Sequence, residues 1–212
     1  MKTGDLITAL SADSERPMVP LRALLLAILG GVLIAAVVFI AVMGSPRANF
    51  MPSLHSWRFD FKFVFTLCIA AAAAFLATRM MRPEAKPGAL RLVLFVAPVL
   101  LIGAVIAELL LMPSNDWLTR LVGQNWLYCM TCIPLFSLAP LAAILLAMRT
   151  GAVTRPVRAG ALAGLLAAGL GGALYATHCP DDSPLFVATW YVIAIGAITA
   201  LGAWLGPRVL RW

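Results

Sequence analysis

"ALLLAILGGVLIAAVVFIAVMGSP", residues 23–46, is 24 residues long and carries no charge. At a rise of about 1.5 Å per residue such a helix spans the roughly 30 Å hydrocarbon core of a bilayer. It is apolar on every side, whereas a surface helix would show a polar face and a transmembrane strand would alternate. The reading is therefore a membrane helix. It starts at about residue 21, after a segment containing Asp5, Asp13 and Glu15, and is too long for the apolar part of a cleaved signal peptide.

Cutting the rest of the chain at its charges gives five more runs, 63–78, 92–107, 121–148, 159–180 and 183–207. Trp57, Phe59 and Phe61 lengthen the second run, and Leu109 to Met112 lengthen the third past Glu108. The 212 residues are 62% hydrophobic and 12% charged, against about 45–50% and about 25% in soluble domains. Mean hydropathy is +0.96. The expectation is an all-α, polytopic membrane bundle of six transmembrane helices.

Basic residues set its orientation. With the N-terminus inside, Lys2, Arg16, Arg22, Arg79, Arg82, Lys86, Arg91, Arg149, Arg155, Arg158, Arg208 and Arg211 are cytoplasmic, leaving Arg47, Arg58, Lys62 and Arg120 outside. Twelve against four satisfies the positive-inside bias, so both termini are expected in the cytoplasm. A lipid-facing cytoplasmic rim accounts for the net charge of +7 without nucleic acid.

The loops are too short to hold an enzyme domain, so the chain divides into a cytoplasmic segment, residues 1–20, and a membrane domain, residues 21–212. In the first, Leu6, Ile7 and Leu10 fall on one face of a helix that Thr3 would cap and Pro17 would stop. A helix of about a dozen residues is marginal alone in water. It suits a partner groove, a membrane surface or a frayed tail. Within the membrane domain Gly160, Gly164, Gly169, Gly171 and Gly172 form small-residue surfaces of the kind on which helices pack in lipid. Pro134 and Pro140 favour a bend in the fourth helix.

Three of the four cysteines belong to the outer side. Cys129 and Cys132 open the fourth helix, Cys179 follows the fifth, and Cys68 lies deeper in the second. One helical turn separates Cys129 from Cys132, and their Cβ atoms, about 5–6 Å apart, would have to approach to form a disulfide. Pairing either with Cys179 is easier. Cys68 and Cys132 read as apolar filler, while Cys129 and Cys179 read either as filler or as a functional pair. His178 adds a nitrogen ligand beside Cys179, so Cys129, Cys179 and His178 are candidates for transient metal binding or redox chemistry. For His178, Asp181 and Asp182 the plainer reading is a solvated loop, with Asp182 capping the sixth helix. No resident cofactor is called for.

Four stretches, "MKTGDLITALSAD", "GQNWLYCMTCIPLFSLAPL", "ALYATHCPDDSPLFVATWY" and the terminal "RVLRW", resemble the NrsF family of bacterial membrane anti-sigma factors. The "HCPDDSP" block is the specific part. The resemblance implies a six-helix protein of the bacterial inner membrane that sequesters an extracytoplasmic-function sigma factor and releases it under oxidative or heavy-metal stress. It implies no direct contact with nucleic acid and no small-molecule substrate. The family's cysteine pair falls on Cys129 and Cys179, with His178, Asp181 and Asp182 supporting it. The family's cytoplasmic segment falls on residues 1–20, which assigns Leu6, Ile7 and Leu10 to sigma binding. The alternative is a quinone-linked membrane thiol-disulfide oxidoreductase, a chemistry that wants two accessible cysteine pairs where this chain offers three outer thiols. A transporter reading is poorer, because Glu108 is the lone carboxylate within an apolar segment and no basic partner is expected deep in the helices. Oligomeric state is left open.

Overall fold

In the computed structural model residue 4 and residues 20–81 and 88–210 are described, and among them there are helices and turns but no strands. Leu6, Ile7 and Leu10 lie outside the described residues. Six helices are long and apolar enough to cross a membrane: α1 (Pro20–Met43), α2 (Trp57–Met80), α3 (Val96–Leu111, with its apolar span beginning at Leu92), α4 (Trp126–Met148), α5 (Pro156–Ala176) and α6 (Pro184–Val209). Much of the surface of these spans is apolar. Leu26, Leu29, Leu33 and Val37 of α1 and Leu110 and Leu111 of α3 are exposed, as expected where the surrounding solvent is hydrocarbon.

The central element is α5, and its glycines explain why. Gly160 and Gly164 lie against the backbone of α6 around Gly202, Gly206 and Ile198. Gly169 lies on Thr66 and Ala70 of α2, and Gly171 on Ile133 and Ser137 of α4. Each neighbour therefore meets its own glycine surface, and a methyl group at any of these four positions would strike backbone or a buried side chain. α1 packs on α4, with Gly31 against the Pro140 backbone. The α4 helix runs unbroken through Pro134 and Pro140.

At the periphery α3 buries only Ala97 and Glu108. In α6 a π-helical turn, Val187–Tyr191, widens the first part of the helix. Turns of this kind recur at functional sites because they re-aim side chains. Here Trp190 is directed to the Leu121 carbonyl at 2.9 Å, while Tyr191 points into the core.

The two ends of the bundle differ. At one end the connections 44–56, 112–125 and 177–183 interlock, with Arg47 N donating to Thr177 O at 3.2 Å and Asn125 N to an Asp181 carboxylate oxygen at 2.8 Å. At the other, Ala152 N donates to Met81 O at 3.1 Å, joining the α4–α5 turn to the end of α2.

Candidate functional site

Connection 177–183 is where the sequence pointed, and local hydrogen bonds shape it. As α5 ends, His178 N and Cys179 N both donate to Tyr175 O, at 3.0 and 3.1 Å, which folds the chain inward and leaves Cys179 fully buried. Cys129 lies one turn inside α4, its N–H donating to Asn125 O at 2.8 Å, and is also fully buried. Both thiols are free. They belong to one apolar cluster and lie within electrostatic reach of each other and of Lys62. The pair suggested by the sequence is thus brought together. Cys132 is buried against apolar neighbours and Cys68 is half-buried.

What holds the loop over the thiols is a set of charges. The fully buried Lys62 ammonium donates to Cys179 O at 2.8 Å and Asp181 O at 3.3 Å, and pairs with Asp182 Oδ1 at 2.6 Å. Arg47 reaches the other side of the same carboxylate at 3.0 Å, donates to Cys179 O at 3.2 Å, and lies 4.3 Å from the Phe59 ring centroid. Stripping an ammonium of water costs several kcal/mol, and only a full set of acceptors offsets that. Lys62 has such a set.

Asp181 faces the opposite way. Its carboxylate accepts from Gln124 N at 3.1 Å, Asn125 N at 2.8 Å and Asn125 Nδ2 at 3.1 Å. Asn125 precedes α4 but makes no side-chain cap bond, so a carboxylate from another loop satisfies amide groups at that helix start. Gly123 makes this approach possible. Its φ of +61° favours glycine, and a Cβ there would collide with Phe186 and Asp181.

A third carboxylate completes the clamp. The fully buried Glu108 of α3 pairs with Arg58 Nε at 2.7 Å and Arg120 Nη1 at 3.2 Å, and accepts from Ser183 Oγ at 3.4 Å. Ser183 caps α6, accepting from Leu185 N at 3.3 Å, a role the sequence had suggested for Asp182. Arg47 and Lys62 therefore share Asp182, and Arg58 and Arg120 share Glu108. The sequence reading placed these four cations outside without partners and expected no basic partner for Glu108 deep in the helices; the structure pairs all four, two of them with Glu108.

His178 is turned elsewhere. Its Nδ1 lies 2.8 Å from Ser45 O and its ring packs edge-on to Phe39. Among the described residues no group of three or more histidine, cysteine or acidic side chains is arranged to hold a metal ion. The soft donors within electrostatic reach of one another are the sulfurs of Cys129 and Cys179.

Burial pushes the Cys179 thiol above its ordinary range, and the Lys62 ammonium and a contact with Asp181 O only partly oppose this. Since the thiolate is the reactive form, alkylation of Cys179 by iodoacetamide should lag behind that of an exposed thiol at pH 7.5 and keep accelerating past pH 9. The sign is the same for stability. A group whose folded pKa is raised contributes stability below the unfolded value, and that contribution is lost as pH climbs through the folded one.

The family model described as "Negative regulator of sigma F" matches residues 9–212. The chain belongs to the NrsF family. Over its full length, and the full length of each relative, it is 35% identical to the probable anti-sigma-F factor NrsF of Azospira oryzae and 32% identical to the anti-sigma-F factor NrsF of Caulobacter vibrioides. No solved structure matches. These relatives are named as regulators of a sigma factor, which act by binding, so the oxidoreductase alternative is set aside.

Several residues of the site escaped the sequence reading. Tyr175 and Tyr191 both lie within electrostatic reach of the two thiols, and the Tyr191 hydroxyl is buried with no hydrogen-bond partner among the described residues. Lys62 carried one usable signal. It interrupts the phenylalanines of "FDFKFVF", a costly place for an ammonium unless a partner comes to it.

Proposed function

We propose that this NrsF-family chain is a membrane anti-sigma factor whose buried thiols, Cys129 and Cys179, are the sensor. Residues 1–20, through Leu6, Ile7 and Leu10, hold an extracytoplasmic-function sigma factor on the cytoplasmic side of the inner membrane. Oxidation at the opposite face, in which two thiols give up two protons and two electrons to the oxidant as a disulfide forms, releases it. Capture of a thiophilic metal by the two sulfurs is the equivalent trigger.

The observation that carries this reading is the shared loop. The loop that presents Cys179 to Cys129 also carries Asp181, which holds the start of α4, and Ser183, which caps α6. Drawing the sulfurs to bonding distance pulls on α4, α5 and α6 together, and their glycine surfaces allow helices to slide. Charge supports the orientation. Among the described side chains the loop-rich end carries four basic ones, Arg47, Arg58, Lys62 and Arg120, and the other end carries six, Arg22, Arg79, Arg149, Arg155, Arg158 and Arg208, the bias expected if that other end is cytoplasmic. A 1:99 to 99:1 swing takes about 5.5 kcal/mol, and a disulfide supplies about 2–4, so partial release is the expected output.

Co-purification of the sigma factor with the full chain, before and after treatment with diamide or cadmium, tests this. Cys129→Ser and Cys179→Ser should each retain the sigma factor and ignore both reagents. Normal release from both variants, or constitutive release, contradicts the sensor assignment. Asp116→Cys, on the exposed 114–116 turn of a variant lacking the native thiols, should react with an impermeant maleimide from the periplasmic side.

A further inference from the structure

A groove of about 590 Å³ lies between α2, α3, α5 and α6, a volume in the range of small-molecule sites, roughly 300–1,000 Å³. Its walls include Phe65 and Ile69 of α2, Pro98 and Leu101 of α3, and Ile195 and Gly196 of α6. The hydroxyl of its one polar side chain, Thr199, donates to Ile195 O at 2.8 Å, which leaves no unsatisfied side-chain group for a polar ligand. The groove lies within four of the apolar spans.

A second groove of about 360 Å³ extends it, sharing Leu94, Leu165 and Thr199 and ending at Arg158. Arg158 is exposed and forms no ion pair or hydrogen bond among the described residues. It lies in the first turn of α5, whose positive helix end adds to its potential. A hydrocarbon channel within the membrane that ends at an unpaired cation at the interface matches one chemistry. We propose that the groove binds an anionic phospholipid, with an acyl chain between α3 and α6 and the headgroup phosphate on Arg158.

This also answers a packing problem. Beyond Ala97 and the Glu108 clamp α3 has no buried residue, so the acyl chain supplies the packing that protein does not. The site is independent of the thiol chemistry.

The test is native mass spectrometry of the full chain in detergent with added phosphatidylglycerol or phosphatidylcholine. The wild type should retain phosphatidylglycerol about five- to tenfold more tightly, the worth of one arginine against an anionic headgroup. Arg158→Gln should abolish that preference. Gly196→Leu should weaken both lipids, because a side chain there enters the groove and a Cβ meets nothing within 4 Å, so the fold is kept. Gly103→Leu, equally open but outside the groove, should change nothing. Equal retention of the two lipids by the wild type, a preference that survives Arg158→Gln, or unaltered binding to Gly196→Leu overturns the proposal.

Discussion

Lys62→Met should lower the thermal midpoint of the detergent-solubilised chain by about 6–12 °C, because it removes one member of a buried pair and leaves its partners behind. Methionine keeps the length and the apolar stem but not the three donors that meet Cys179 O, Asp181 O and Asp182 Oδ1. Breaking a buried ion pair on one side costs about 3–5 kcal/mol. In a chain of about 150–250 residues each kcal/mol moves the midpoint by roughly 2–4 °C. Arg47 still neutralises part of the Asp182 charge, which places the effect at the lower end of that cost. The double variant Lys62→Met, Asp182→Asn removes the stranded charge as well and should recover part of the loss, as coupled neighbours do. The single variant should also expose Cys179 to alkylation. A midpoint within a degree of the wild type would mean that the ammonium contributes nothing to closing the loop.

The size of that effect explains which parts of the molecule could be read from its sequence. The six helices were legible because lipid offers no partner to a stray backbone amide, so each crossing must be a long apolar run. The packing role of Gly160 and Gly164 was legible for the same reason: a backbone stripped of side chains has one use between helices in lipid. Placing Cys129, Cys132 and Cys179 near one membrane surface left either of the first two as a partner for Cys179, and the family resemblance singled out Cys129. The clamp around them did not follow. Lys62 finds the Cys179 carbonyl 117 residues away and Arg58 finds Glu108 50 residues away, and nothing local to either residue encodes that pairing. Four cations near the ends of apolar runs look the same whether they face water or fold back beneath a loop. The π turn at Val187–Tyr191 was equally hidden, since its sequence, VATWY, breaks no helical rule.

Glu108→Gln should free α3 at its loop-rich end and raise tryptic cleavage after Arg120 about tenfold. The carboxylate is fully buried and receives Arg58, Arg120 and Ser183, while the two guanidinium groups keep partial access to water, with 23% and 34% of their side chains exposed. Glutamine fits the same space and can still accept hydrogen bonds. What it removes is the charge that draws both arginines inward. Charge-assisted bonds are worth about 1.5–3 kcal/mol each, and solvent access discounts both toward the low end. A loss near 1.4 kcal/mol is a factor of ten in the population of the opened end, and proteolysis follows that population when opening is fast. Arg120 leads away from the clamp into 121–125, the stretch that hands over to α4, so cutting there reports on the clamp rather than on general unfolding. Cleavage after Arg149, in the turn at the opposite end, is the internal reference and should not move. If both sites accelerate together, Glu108 stabilises the whole bundle. If neither does, α3 is held in place by its apolar surroundings, and the carboxylate is buried without being the anchor.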